Sequence, residues 1–292
     1  MSAYGLQAVT IDSTVLSGIK SYSFDRRERM LDAQTDGTLH QTFHAAKRAA
    51  PKVDFSTVAV ESLMGLLTGS LDAPMKNIAT AADFIFALQA SATPGYGGTH
   101  RGIRLTKGHI YLTGLKWAPG GDGLEAACSA FGLSADGTTD PVTLITPTLP
   151  VVTPAEVFTL TSLTLGGQTV TKCQNLDIGI DPKGENNVED VCYDLGLPFP
   201  KEMAVAGAAG PIEVSATVEL LDQAVAPTTS GTLVAVFTQF AFGATLAVNT
   251  LTVTINAAQI REESRTAGRP SSRRFKVLGR HDGTNRPLTI TT

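Results

Sequence analysis

Residues 136–144, DGTTDPVTL, and residues 282–290, DGTNRPLTI, are identical at five of nine positions, with Val/Leu and Leu/Ile exchanged at two more. The offset between them is 146 residues in a chain of 292. A turn-plus-strand element that recurs at half the chain length, each time near the end of its half, implies one domain fold used twice. Nothing else in the sequence constrains the architecture as strongly.

Other segments recur in the same order. AVTIDSTVLSGIKSYSFD (8–25) resembles SLTLGGQTVTKCQNLDIGID (162–181), with Val9 and Ile11 matching Leu163 and Leu165. In that alignment Tyr22, Phe24 and Asp25 fall opposite Ile178, Ile180 and Asp181. PKVDFSTVAVESL (51–63) is echoed by PIEVSATVELLDQ (211–223), ADFIFALQA (82–90) by LVAVFTQFAF (233–242), and GIRLTKGHI (102–110) by TLTVTINAAQI (250–260). Most of these stretches alternate apolar and polar residues, the period of a half-buried strand. The chain holds 37 Thr with 28 Gly and 15 Pro, which favours pleated strands cut by frequent turns. The expected fold is all-β or mostly β: two tandem copies of a β-sandwich or barrel domain, residues 1–146 and 158–292. Residues 147–157 between them contain Pro147, Pro150 and Pro154 and read as an extended linker.

One segment breaks the strand pattern. In residues 58–72, Val60, Leu63, Met64 and Leu67 follow helical spacing and Gly69 stands where a C-cap belongs, so a short amphipathic helix is expected there. Its counterpart at 217–231 reaches Pro227 early, and the second helix should be stunted or absent. Loops 26–50 and 182–210 are long and show little strand pattern. Ordered loops of that length commonly carry function or pack on a partner.

Catalytic and metal-binding patterns are weak. His40 and His44 stand four apart but lack the Glu of a zinc-protease helix and a third ligand. His100, His109 and His281 are isolated. GYGG (95–98) precedes a strand instead of opening a helix after one, so a turn is the better reading than a phosphate cradle. Asp177, Asp181, Glu185, Glu189, Asp190 and Asp194 do not match a calcium loop. Cys128, Cys173 and Cys192 are far apart and odd in number, which suits reduced thiols in a reducing cytoplasm. The first residues show no export signal, and the apolar run 233–242 suits a buried strand better than a membrane span. We therefore expect no enzyme activity and no cofactor or metal.

Charge is distributed unevenly. Residues 156–222 hold eleven acids and three bases, whereas 223–292 hold eight bases and three acids. Arg261, Arg265, Arg269, Arg273, Arg274, Lys276 and Arg280 crowd one stretch. It reads as a solvated hairpin, as a nucleic-acid patch, or, the preferred reading, as a contact with an acidic surface on another copy. Asp181, Glu185, Glu189 and Asp190 are the acidic candidates. Complementary charge of this kind sets orientation between subunits.

SGIKSYSFDRRERMLDAQTDGTLHQTF (17–43), leading into PKVDFSTVAVESLMGLLTG (51–69), is similar to the opening of the major tail tube proteins of long-tailed, siphovirus-type bacteriophages. The resemblance lies in layout: a strand pair flanking a long loop, then a strand and the single helix. The doubled pattern resembles the tandem-duplicated form of that family. It implies a homo-oligomer of trimeric rings acting as pseudo-hexamers and stacked into the tail tube of a virion assembled in the host cytoplasm. The tape measure, terminator and distal tail proteins would be partners, and DNA would pass through the lumen without specific binding or any membrane contact. Rival readings are a single-ring distal tail, terminator or baseplate protein, and a carbohydrate-binding β-sandwich with Trp117 as its platform.

Overall fold

The computed structural model describes residues 4–33, 43–67, 75–88, 99–151, 157–182, 191–192, 194–203, 212–221, 226–240, 246–266 and 271–292. In the first half these form β1 (Tyr4–Ile11), β2 (Thr14–Leu16), β3 (Ile19–Asp25), β4 (Arg29–Ala33), β5 (Phe43–Arg48) and β6 (Lys52–Thr57). Helix α1 (Val60–Leu66) follows, then β7 (Met75–Ile78), β8 (Ala82–Leu88), β9 (Arg101–Leu105), β10 (Gly108–Trp117), β11 (Glu125–Gly132) and β12 (Val142–Ile145). The second half holds β13 (Val157–Leu165), β14 (Gln168–Val170), β15 (Cys173–Pro182), β16 (Val191–Cys192), β17 (Glu202–Met203) and β18 (Ile212–Leu220). It ends with β19 (Ser230–Phe240), β20 (Leu246–Thr266), β21 (Ser272–Gly279) and β22 (Leu288–Thr291). The protein is all-β in class, and every pairing is antiparallel.

Each half arranges its strands in an outer and an inner layer. In the first, the outer sheet runs β12-β9-β8-β1-β2 and the inner one β10-β11-β6-β3. In the second, the outer strands run β14-β13-β19-β20, with β22 also on β20, and the inner ones β20-β21-β18-β15. Strand β20 belongs to both layers, because its 21 residues span what β9 and β10 do as separate strands. Alternation builds the core between the layers: Val214, Ala216, Val218 and Leu220 of β18 are buried, and the residues between them face out. Tyr22 and Phe55 of the inner layer meet Phe84 of the outer layer, both at 5.8 Å between ring centroids.

The pairing registers of the two halves correspond residue by residue. Val9 pairs with Leu16, and Leu163 with Val170; the two-residue turns between them have positive φ at Asp12 and Ser13 and at Gly166 and Gly167. Positive φ at both central residues is the hairpin turn whose twist matches its strands. Against β8, β1 has a bulge between Leu6 and Ala8; against β19, β13 has one between Leu160 and Ser162. β3 bulges between Ile19 and Ser21 against β6, and β15 between Cys173 and Asn175 against β18. β10 bulges between Leu112 and Gly114 against β11, and β20 between Glu262 and Ser264 against β21. A one-residue slip would turn every side chain to the other face, so matching bulges is a demanding correspondence.

The DGT twins occupy equivalent places. Asp136 Oδ1 accepts from the N–H groups of Thr138 and Thr139 at 2.8 and 2.7 Å, and Asp282 Oδ1 from those of Thr284 and Asn285 at 2.8 and 2.6 Å. Gly137 and Gly283 follow at φ 80° and 93°. These turns feed β12 and β22, which pair Val142 with Leu105 and Leu288 with Ile255. Donation to the carboxylates holds Asp136 far below, and Asp282 at about 2 against, the ordinary carboxylate range.

Several sequence-based expectations need correction. Registers set Tyr22 and Phe24 in the place of Leu176 and Ile178, two residues from the match made by pattern, because alternation alone is blind to a shift of two. Likewise Phe55 matches Val218, not a residue three positions earlier. The helix ends at Leu66 with Leu67 as its C-cap, and Gly69 lies outside the described residues. In the second helix region residues 222–225 lie outside them too, and the described parts are the end of β18, the start of β19 and non-helical residues before it. Both long loops contain strand after all: β4 pairs with β5 and β16 with β17.

Candidate assembly interface

The halves are not separate beads. β10 pairs with β15, joining Gly114 to Gly179, Leu115 to Ile178, Lys116 to Asp177 and Trp117 to Leu176. Eight inner strands thereby form one continuous sheet, from β20 and β21 through β18, β15, β10, β11 and β6 to β3. Its core side at the junction is dry: Leu115, Leu176 and Ile178 are buried, and Trp117 is 9% exposed. Burial makes Trp117 a packing residue, not an exposed platform.

On the opposite face, side chains alternate into the open. One cross-strand row runs Glu125, Lys116, Asp177, Thr217, Lys276, Arg261. Lys116 Nζ stands 3.7 Å from Asp177, across the junction. Near β3, Lys52 lies 3.0 Å from Asp54, and Ser129 donates to Asp54. Charges of both signs with hydroxyls make this face a polar wall.

A second contact ties the halves. Segment 194–200, between β16 and β17, lies against the first DGT turn. The Ser134 N–H donates to the Pro200 carbonyl at 2.8 Å, the Phe199 N–H to the Gly137 carbonyl at 3.1 Å, and the Ala49 N–H to the Pro198 carbonyl at 2.9 Å. Gly137 packs closely here: a Cβ on it would meet Leu197 Cδ1 at 2.4 Å. The equivalent Gly283 has nothing within 4 Å.

The described parts of the basic stretch, 261–266 and 271–281, include the end of β20 and all of β21, which pair with one another, and much of their charge is answered there. Glu262 accepts from Arg265 Nε at 2.9 Å and from Arg273 at 3.2 and 2.6 Å. Donation from Arg273 and then Arg265 holds the Glu262 carboxyl at about 2. Arg273 is buried, its guanidinium 4.8 Å from the centre of the Phe275 ring. Arg274 stands 3.8 Å from Glu263, and Arg280 donates to Gln259 at 3.2 Å. Arg261 and Lys276 are exposed directly opposite one another. Of the acidic candidates, Asp181 is exposed at the end of β15, paired in register with Glu213. Arg269, Glu185, Glu189 and Asp190 lie outside the described residues. The Glu-Glu of REESR was the sequence signal for these internal partners, obscured by summing charge over the whole segment.

The strand expected at Tyr22–Asp25 is β3, but its position at a sheet edge was not legible in the sequence. Tyr22 and Phe24 are only partly buried there, whereas Leu176 and Ile178 in the same ladder positions are fully covered by β10. The Tyr22 hydroxyl is shielded from solvent and has no hydrogen-bond partner among the described residues. Burial pushes that phenol's pKa well up.

Among the described residues the remaining groups form no reactive cluster. Cys128 is buried and free, its thiol pushed well up by burial, and Cys173 is also free. His109 on β10 contacts Asn77 at 2.6 Å and is lowered by burial, while His40 and the side chain of His44 lie outside what is described. Among the described residues no group of three or more His, Cys, Asp or Glu could hold a metal, and no helix is long and apolar enough to cross a membrane. No protein-family model matches the chain, and none of the curated proteins compared with it matches.

Proposed function

We propose that the chain is a structural protein of a bacteriophage virion that self-assembles into stacked rings, forming the tail tube through which DNA passes on ejection. The observation that carries this reading is the recurrence of registers, turns and bulges in the two halves, joined edge to edge through β10 and β15. That recurrence supports an ancestral β unit fused to itself, with six units per ring supplied by three chains. An edge-to-edge junction is a rule for adding further units, and a closed ring of such junctions removes open sheet edges. The polar face, carrying Asp177, Asp181, Glu213 and Glu219 among its bases, suits a channel wall that does not retain phosphates. Ring-to-ring stacking by head-to-tail contacts would extend the assembly without limit.

Negative-stain microscopy of the purified protein tests the proposal. Tubes of uniform width are the expected result. Isolated rings would favour a single-ring tail component, and monomers at high concentration would remove the assembly reading altogether.

A further inference from the structure

The internal junction predicts the external one. Moving along the chain by the offsets the registers define, β10 becomes the end of β20, and β15 becomes β3. Gly114, Leu115 and Lys116 correspond to Ser264, Arg265 and Thr266, because Leu112 opposite Cys128 matches Glu262 opposite Phe275 on the other side of the same bulge. Gly179, Ile178 and Asp177 correspond to Asp25, Phe24 and Ser23. Among the described residues neither stretch has a neighbour on its other side in the run of strands from β20 to β3. We infer that β20 of one chain pairs antiparallel with β3 of a second copy, Ser264 opposite Asp25, Arg265 opposite Phe24 and Thr266 opposite Ser23. This rests on the ring-forming reading and gives it a register.

The chemistry of the two edges is complementary at this register. On the polar face, two hydroxyls, Ser264 and Thr266, meet the Asp25 carboxylate and the Ser23 hydroxyl. On the core side, the Arg265 guanidinium meets the Phe24 ring, a cation–π arrangement suited to arginine. It is already neutralised by two bonds to Glu262, which lowers the cost of covering it. Tyr22, with its unpartnered hydroxyl, lies next along the same face of β3. The first DGT turn lies under segment 194–200 of its own chain, whereas a Cβ on Gly283 would meet nothing within 4 Å, which leaves the second turn for a neighbouring chain to cover. The junction inside the chain is apolar on its core side and permanent; the one between chains is built from Arg, Phe, Ser, Thr and Asp, and is reversible.

A cysteine pair tests the register. Directly opposite residues in an antiparallel ladder have Cα atoms about 4.5–5.5 Å apart, within disulfide reach, whereas diagonal neighbours stand about 7–8 Å apart. Ser23→Cys combined with Thr266→Cys, oxidised in the assembled full chain, should give covalent oligomers that reduction dissolves. Peptide mapping should locate the bond at those two positions. Ser21→Cys combined with Thr266→Cys should cross-link at least tenfold less. Arg265→Glu, at an exposed position, should leave the monomer folded by circular dichroism and abolish assembly. Tubes without the Ser23–Thr266 cross-link would overturn the register and leave the tube reading standing. Cross-linked rings that never stack would uphold the register and reduce the function to a single ring. Folded monomers without cross-link would overturn both.

Discussion

Leu112 and Glu262 stand at the same ladder position in the two halves, each just before a bulge, one opposite Cys128 and the other opposite Phe275. Leu112 and Cys128 opposite it are both buried, as are Leu115 and Ala126 beyond the bulge. Around Glu262 the neighbours are Arg265 and Arg273. One backbone geometry thus carries two chemistries, decided by what covers it. Where the other half of the same chain lies alongside, apolar contact is available in every molecule and the site is dry. Where only a second molecule could cover it, the residues must also suit water, and paired charges do so. The folding consequence is that one junction contributes to the stability of the isolated chain and the other does not.

Removing a side chain from the dry junction should give the largest effect. Ile178 is wholly buried, and Ile178→Ala should cost about 2–5 kcal/mol in the monomer, read by urea unfolding. Phe24→Ala, at the equivalent position on the free edge, should cost the monomer about 1–2 kcal/mol, because its ring is only partly covered. If the two costs prove equal in the monomer, the contrast between internal and external junctions is wrong.

Acid should separate the two sites as well. Glu262 is held at about 2, below the usual carboxylate value, first by Arg273 and then by Arg265. A lowered folded-state pKa adds stability above the unfolded value, near 4.5, and that stability is lost as pH falls toward 2. The β20–β21 hairpin should therefore loosen between about pH 4.5 and 2, while β10 and β15 keep their protection in hydrogen exchange. Glu262→Gln should reproduce the loss at neutral pH, about 1–3 kcal/mol, because Arg273 is buried and loses a charged partner. Equal loosening at both junctions would sink the assignment to Glu262.

How much of this was legible follows from what each signal encodes. The DGT twins were readable because Asp and Gly do a local job that fixes their identity: a carboxylate caps two N–H groups and the next residue takes positive φ. The order of elements along the chain was readable too, because they recur in one sequence in both halves. Register was not. Tyr22-Ser-Phe24 can be laid on Leu176-Asp-Ile178 or on Ile178-Gly-Ile180 without breaking alternation, and only bulges and pairing partners decide. The free edges were invisible too, since a strand pattern does not say whether a neighbour exists on both sides. Charge in 261–281 pointed to a contact region, yet summed charge hid that Glu262 answers two of the arginines from within the hairpin.

The smallest difference tests the comparison at its most local point. Gly137 and Gly283 have the same left-handed backbone, so adding a Cβ at either should cost about 1–2 kcal/mol through the backbone alone. Only at Gly137 does that Cβ also meet Leu197, and the clash is with the tip of a flexible side chain, which can give way. Gly137→Ala should therefore be slightly the more destabilising, and it should displace segment 194–200 instead of the turn. Limited trypsin cleavage after Lys201, whose ammonium is tied to Asp194 at 2.8 Å, reads that displacement directly. Gly283→Ala should leave this cleavage at the parent rate. A rise of the same size in both variants would mean that segment 194–200 responds to global loosening and not to its own contact with the turn, and the distinction between a covered and a bare copy would fail.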